Sequence, residues 1–220
     1  MIDPGAVTGA VLAGGDSTRF DGGDKALADL DGRPLVAHAV AAVDDATTAD
    51  PVVGVRTPDQ RDSLRTALPG RRKVRFASDV DGFSGPLAGI YAAAETASTP
   101  WLFVCACDMP LVTFDSVAGL WRIEGATGAS AIVPRVDGRD QPLHALYRRS
   151  DLLAVRSSLR DGQGLYALVE ALAAGSAAGE NGVVRPMPAD VDGLGDAVTN
   201  VNTRADLRAV RGTAVSRSTD

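Results

Sequence analysis

Lysine is nearly missing from this 220-residue sequence: it stands only at positions 25 and 73 among 22 basic residues. Cysteine is as scarce, at Cys105 and Cys107, and histidine occurs only as His38 and His144. Two cysteines at i and i+2 of a strand point to one face, where a bridge between them would be badly strained. Two Cys and two His at these spacings do not suggest a zinc site, so the cysteines are expected to fill an apolar core in a reducing compartment. No run of 18 apolar residues occurs, which excludes a membrane-spanning helix. Met1–Gly5 offers neither a basic region nor an apolar one, so no secretory signal is expected and the reading is cytoplasmic. A basic stripe is also lacking: the net charge is -6 and the pI near 4.9, which excludes a nucleic-acid surface. Glutamate appears only at 95, 124, 170 and 180, leaving an acidity that is mostly aspartate and suits a high-salt cytoplasm.

What is present is a foldable chain. Hydrophobic residues make up 45%, enough for one domain, expected over residues 6–211 with frayed ends at 1–5 and 212–220. Strand-like and helix-like stretches alternate. Strands are expected over 7–12, 51–55, 74–77 and 101–107, and helices over 33–43, 58–68, 86–97 and 115–123. Four such units predict a mostly parallel sheet covered on both faces, an α/β three-layer sandwich of Rossmann-like type. Beyond residue 124 the rhythm changes. Segments 129–135 and 142–147 flank the turn-rich Val136–Asp140 and read as a strand pair. Helices follow near 150–159 and 165–174, then a strand over 183–187 and a capping box at Thr203–Asp206. Residues 6–124 are therefore read as a nucleotide-binding half and 125–211 as an acceptor half.

Ligands of open α/β sheets bind beyond the carboxyl ends of the strands, where the first strand runs into Leu12-Ala-Gly-Gly-Asp-Ser-Thr-Arg-Phe-Asp-Gly-Gly-Asp-Lys25. Glycines 14, 15, 22 and 23 allow backbone N–H groups to approach an anion, Arg19 offers a planar fork, and Lys25 a point charge. The stretch lacks the Gly-Lys-[Ser/Thr] of a Walker loop and the spacing of the dinucleotide fingerprint. A triphosphate or pyrophosphate is the natural guest; the bland alternative is a surface loop with incidental charges. At the end of the fourth strand stands Cys107-Asp108-Met109-Pro110. Alone, Asp108 reads equally as a cap for the next turn. Opposite a phosphate loop it reads as a ligand for Mg²⁺, which favours one or two carboxylates plus substrate phosphates.

Taken in order, these stretches resemble a known family. Leu12-Ala-Gly-Gly-x-Ser-Thr-Arg with Asp24-Lys25, Ser84-Gly-Pro-Leu-Ala-Gly89, Cys107-Asp-Met-Pro-Leu111, Gly138-Arg-Asp-Gln-Pro142 and Asn200-Val-Asn-Thr203 are similar to the signatures of molybdenum cofactor guanylyltransferases. The resemblance spans about residues 7 to 210 and implies the nucleotidyltransferase-type fold. It implies transfer of GMP from GTP to the molybdopterin cofactor with Mg²⁺, and transient contact with molybdoenzymes or other cofactor-synthesis proteins. Carried over by position, Leu12, Ala13, Gly14 and Gly15 contact the nucleotide, Lys25 and Arg19 the phosphates, and Asp108 the metal. Asp79 matches a nucleotide-binding Asp, and either it or backbone carbonyls select guanine. Asn200, Asn202 and Arg139 border the acceptor.

Two departures stand out. Phe20-Asp21 replaces the family's Met-Gly, and Val53 or Gly54 stands where the family has an Asn at a nucleotide contact. Base and acceptor choice thus leave related activities open, namely CTP with molybdopterin or GTP with a cobinamide phosphate, and a non-catalytic nucleotide-binding module is a third reading. His38 is expected to pack; His144 is read as structural in preference to pterin-facing. The Asp-rich, Lys-poor composition yields a first test. Thermal stability is expected to rise strongly as KCl approaches molar concentration, and a melting temperature indifferent to salt would remove the high-salt reading.

Overall fold

The computed structural model describes residues 1–15, 23–68, 73–123, 128–175 and 182–213. Strand β1 (Val7–Leu12) leads into the glycine-rich loop, after which a 3-10 turn over Lys25–Leu27 precedes a ribbon of β2 (Asp29–Leu30) and β3 (Arg33–Pro34). Helix α1 (Leu35–Ala46), β4 (Val52–Val55), α2 (Pro58–Ala67), β5 (Arg75–Ser78), α3 (Pro86–Thr96), β6 (Trp101–Ala106) and α4 (Phe114–Arg122) complete the strand–helix alternation. Then come β7 (Ala131–Ile132), a ribbon of β8 (Arg135–Val136) and β9 (Arg139–Asp140), β10 (His144–Arg148) and α5 (Arg149–Ala154). Helix α6 (Leu165–Ala174), β11 (Val183–Val184), α7 (Leu194–Ala197) and α8 (Arg204–Ala209) close the described chain.

Seven strands form one sheet in the order β11-β7-β10-β6-β1-β4-β5. Its neighbours are parallel except where β10 runs against β6 and β7. Alternation along the strands feeds two cores. Val7 and Val11 of β1 and Trp101, Phe103 and Cys105 of β6 face α1 and α4. Ala10 and the β6 residues Leu102 and Val104 face α3 and α6. This is the expected three-layer α/β sandwich. Both cysteines are buried in the α1/α4 layer, unbridged, and burial pushes their thiols far above the ordinary range. They are core fillers, as read. Among the described residues no helix is long and apolar enough to cross a membrane.

Several boundaries differ from the sequence reading, each for a local reason. Helix α1 begins at Leu35, because Asp31 and Gly32 take positive φ (52° and 81°) and fold Arg33–Pro34 back onto Asp29–Leu30. Asp137 and Gly138 (φ 49° and 74°) do the same inside the expected hairpin and create β8 and β9, while β7 and β10 pair outside them. The helix expected over 150–159 tightens after Ala154 into a 3-10 turn over Val155–Ser158. The strand expected to 187 stops at Val184, ahead of Pro186, which has no N–H for a ladder. The last helix opens on the expected Thr203/Asp206 capping box. Within residues 1–5, expected to fray, Ile2 is buried and its N–H donates to the Trp121 carbonyl at 2.7 Å, and Asp3 caps a 3-10 turn over Pro4–Ala6. At the other end Gly212 N–H donates to Asp31 Oδ2 at 3.0 Å. Residues 214–220 lie outside the described residues.

The register of β1 with β6 runs from Val7↔Trp101 to Leu12↔Ala106 and continues in Cys107 N–H donating to Leu12 O at 3.0 Å. From β1 the chain crosses outward to β4 and β5, then returns through α3 to β6 on the opposite side of β1. Loops leaving β1 and β6 diverge there, and the crevice at such a reversal is where open sheets bind ligands. Helix α1 packs close beneath β1, since a Cβ added at Gly9 would stand 1.9 Å from Val43 Cγ1. Gly9→Ala is therefore expected to lower stability by roughly 1–3 kcal/mol, the usual cost of overpacking. Thermal denaturation reads this as a melting temperature several degrees lower, partly restored when Val43 is also cut to Ala.

Candidate active site

A cleft opens at the carboxyl ends of β1 and β6, lined by Leu12–Gly15, Asp24, Lys25, Gly54, Asp79, Gly89 and Asp108 together with Leu143 and Asn200. The backbone of β1 carries its ladder one residue further, with Ala13 N–H donating to Gly54 O at 2.9 Å. Beyond it, small residues keep the floor open. A Cβ at Gly89 would lie 3.3 Å from Leu12 Cδ2, and one at Gly54 would lie 3.1 Å from the same atom. Gly85 adopts φ 62°, ψ -149°, a conformation essentially restricted to glycine, and from it α3 starts with Pro86 and no side-chain cap. The uncapped amino end of α3 lies on the cleft wall, where its N–H groups and dipole favour electron-rich guests.

Two carboxylates face this space in different ways. Asp79 lies between Gly14 and Gly89, its oxygens 3.5–3.6 Å from where their Cβ atoms would stand. Burial raises its pKa, and the nearby Arg56 guanidinium opposes that rise. A partly dehydrated carboxylate so placed seeks N–H or O–H donors. Asp108, just past β6, pairs with Lys25: Nζ stands 2.5 Å from Oδ2, with the two side chains 18% and 14% exposed. Its other oxygen, Oδ1, is buried and has no hydrogen-bond partner among the described residues. A buried carboxylate oxygen is a hard donor of the kind that suits a cation.

Lys25 is placed by its neighbours. Asp24 Oδ1 accepts from Ala26 N–H at 3.0 Å and so caps the 3-10 turn that Lys25 begins. From the far end of the chain, Asn202 Oδ1 accepts from Lys25 Nζ at 3.2 Å. That segment is pinned by Val201 N–H donating to Asp108 O at 2.8 Å, and by Asp206 Oδ2, which accepts from Asn202 and Thr203 N–H at 2.9 and 2.8 Å. Leu12, Ala13, Gly14, Gly15, Lys25, Asp79, Asp108, Asn200 and Asn202 thus lie together at one cleft.

Of the other two expected residues, one is not described and one stands apart. Arg19 lies outside the described residues, as do Phe20 and Asp21. Arg139 is exposed on the β8–β9 ribbon, while its neighbour Asp140 is clamped by Arg135 Nε at 2.8 Å and Arg185 Nε at 3.1 Å. Burial would raise the Asp140 pKa, but the hydrogen bonds from both arginines outweigh it and lower the value. Asp140 is thereby committed to structure. His144 is fully buried on β10, beside the Phe103 ring and bonded through Nε2 to Ser116 O at 3.1 Å, with Nδ1 unpartnered among the described residues. It belongs to the α4 layer, in keeping with the structural reading, and His38 bonds through Nε2 to Leu30 O at 2.9 Å. Sequence reasoning missed Gln60, which no motif marks, and did not single out Gly85, Pro86, Gly89 or Leu143 from the stretches it quoted.

Comparison with known proteins bears on the family and the fold. Residues 9–177 match the family model described as a MobA-like NTP transferase domain. A probable molybdenum cofactor guanylyltransferase from Haloferax mediterranei is 37% identical over 92% of this chain and 91% of its own length. Another from Thermococcus gammatolerans is 31% identical over 90% of this chain and 96% of its own. Among solved structures, molybdopterin-guanine dinucleotide biosynthesis protein A from Archaeoglobus fulgidus shares the fold, with a TM-score of 0.71 at 24% identity over 95% of this chain and 99% of that one.

His144 supplies a pH test. Burial holds its imidazole neutral, with the pKa lowered from 6.5 to about 4 and the bond to Ser116 only partly opposing this. A group that binds its proton less readily when folded contributes stability above its unfolded pKa and loses it as pH falls. Unfolding free energy is therefore expected to drop between pH 6.5 and about 4, by up to about 3 kcal/mol from this residue. Urea titrations across that range are expected to show a shallower acid limb for His144→Gln; an unchanged limb contradicts the assignment.

Proposed function

The chain belongs to the MobA-like NTP transferase family, and on that footing we propose that it transfers GMP from GTP to the molybdopterin cofactor, releasing pyrophosphate. The observation that carries this reading is the Lys25–Asp108 pair at the mouth of the β1/β6 crevice, with the second Asp108 oxygen unpartnered. Members of this family use a divalent metal, and we take it to be Mg²⁺. Asp108 fits as its holder through the oxygen left without a hydrogen bond among the described residues. When bound, the ion supplies positive charge to phosphate oxygens as charge develops on them.

The remaining work falls to the chain itself. The acceptor's terminal phosphate is already ionised at neutral pH, so its attack on the α-phosphorus of GTP needs no general base from the protein. Catalysis then rests on orientation and on charges set in place beforehand. Glycines 14 and 15 let the backbone approach the phosphates, and Lys25, with Arg19 proposed to assist, neutralises the departing pyrophosphate. Asp79 takes the donors of the nucleoside: a carboxylate can accept from both N1–H and the exocyclic amine of guanine, which adenine cannot offer in that pattern. Gly54 lines the same wall, and with Val53 or Gly54 where the family has an Asn, base choice is left to Asp79 and the backbone. Asn200 and Asn202 face the acceptor side beside Lys25, and Arg139, on the exposed ribbon, is proposed to border the acceptor from there.

Pyrophosphate release with each nucleotide tests the proposal. GTP with Mg²⁺ and molybdopterin is expected to turn over, and ligand binding to the folded form is expected to raise the melting temperature by mass action. Preference for CTP would transfer the reading to the cytidylyl reaction, and binding without pyrophosphate release would leave a nucleotide-binding module. Lys25→Ala is expected to lower transfer by about 10²-fold, the scale for losing one preorganised charge donor. Asp108→Asn is expected to raise the Mg²⁺ concentration needed for half-maximal rate steeply, and an unchanged metal dependence would refute its assignment.

A further inference from the structure

Gln60 lies outside the reaction centre, in the first turn of α2, yet its side chain holds both ends of the loop that enters it. Nε2 donates to Ala13 O at 2.8 Å and to Asp24 Oδ2 at 2.9 Å, while Oε1 accepts from Arg56 N–H at 2.9 Å. The partners dictate which way the amide points: a carbonyl and a carboxylate only accept here, and a peptide N–H only donates. Ala13 ends the β1 ladder, and Asp24 caps the turn that begins at Lys25. Residues 14–23 are therefore spanned by one side chain mounted on a separate helix. That helix is itself fixed at this end, with Thr57 Oγ1 accepting from Gln60 N–H at 3.2 Å.

We infer that Gln60 is a positioning residue for Lys25: by tying Ala13 and Asp24 to the start of α2, it sets the backbone from which Lys25 reaches Asp108. The inference deepens the proposed function, on which its kinetic consequence rests. Only glutamine satisfies all three partners. Asparagine is one methylene short, and glutamate has no donor and sets a second carboxylate against Asp24. Leucine keeps the volume but leaves Ala13 O, Arg56 N–H and one Asp24 oxygen without this partner.

The scarcity of lysine makes the test direct. With side-chain ¹³C-lysine labelling, the NMR spectrum contains signals from Lys25 and Lys73 only, and Lys73→Arg identifies which is which. The ligand-free wild type is expected to give a Lys25 Cε–Hε signal displaced from that of Lys73. In folded Gln60→Leu and Gln60→Glu it is expected to move toward the Lys73 position. Gln60→Leu is also expected to lower kcat/KM for GTP on the order of tenfold, the effect of losing a hydrogen bond to a charged group. The KM for the acceptor is expected to stay the same. Asp24→Ala is expected to move the signal likewise, with the double variant no worse than the more severe single change. A merely structural role would lower the melting temperature while leaving the Lys25 signal and kcat/KM of the folded protein at wild-type values, and that result would overturn the inference. Adding GTP and Mg²⁺ to the wild type separates the two claims. A Lys25 signal that ignores the nucleotide refutes the proposed function, whereas the ligand-free spectra decide the role of Gln60.

Discussion

The parallel pairing of β1 with β6 is the constraint on which the site depends. Its register aligns Leu12 with Ala106, so the loops that leave the two strands start side by side, and residues 83 positions apart come within 2.5 Å. A slip of one residue would turn Phe103 and Cys105 out of the α1/α4 layer and exchange them with Leu102 and Val104. Core packing on two faces therefore fixes where Asp108 stands, and Lys25 meets it there. The ion pair is a poor source of stability, because removing two charges from water largely cancels their attraction. Its value is chemical: it holds a cation and a half-satisfied carboxylate together in a crevice open to a guest.

Much of this was legible in the sequence because the signals were periodic or punctuated. The apolar run at 101–107 announced a strand covered on both faces, and the glycines and lysine of the first loop read as a loop suited to an anion. The Thr203/Asp206 capping box was readable from residue types at fixed spacing. What escaped was set by tertiary contact. The Asp31-Gly32 turn was hidden because the strands on either side are only two residues long and carry no alternation. Ile2 looked like part of a loose end because its burial comes from α4, far along the chain. Gln60 resembles any polar residue in a helical first turn, and only the fold places Ala13 and Asp24 within its reach.

Glycine in the cleft works by omission. Gly14, Gly54 and Gly89 withhold side chains around Leu12 and Asp79, so a carboxylate is set into a wall that is otherwise apolar or backbone. That setting raises the Asp79 pKa despite Arg56 and gives a neutral donor an advantage over water. On the opposite side, Asp140 shows what happens to a buried carboxylate with two arginines in reach: it is saturated, and it holds the β8–β9 ribbon to Arg185 instead of meeting a ligand.

The bond from Val201 to the Asp108 carbonyl has a consequence for the order of events during synthesis. A ribosome delivers the glycine-rich loop, Asp79 and Asp108 long before it delivers the Asn200–Thr203 segment that backs Asp108 and touches Lys25. The crevice can take shape on the growing polypeptide, but its rear wall arrives only with the last stretch described. The contact of Asn202 with Lys25 therefore forms only after translation has moved past that segment.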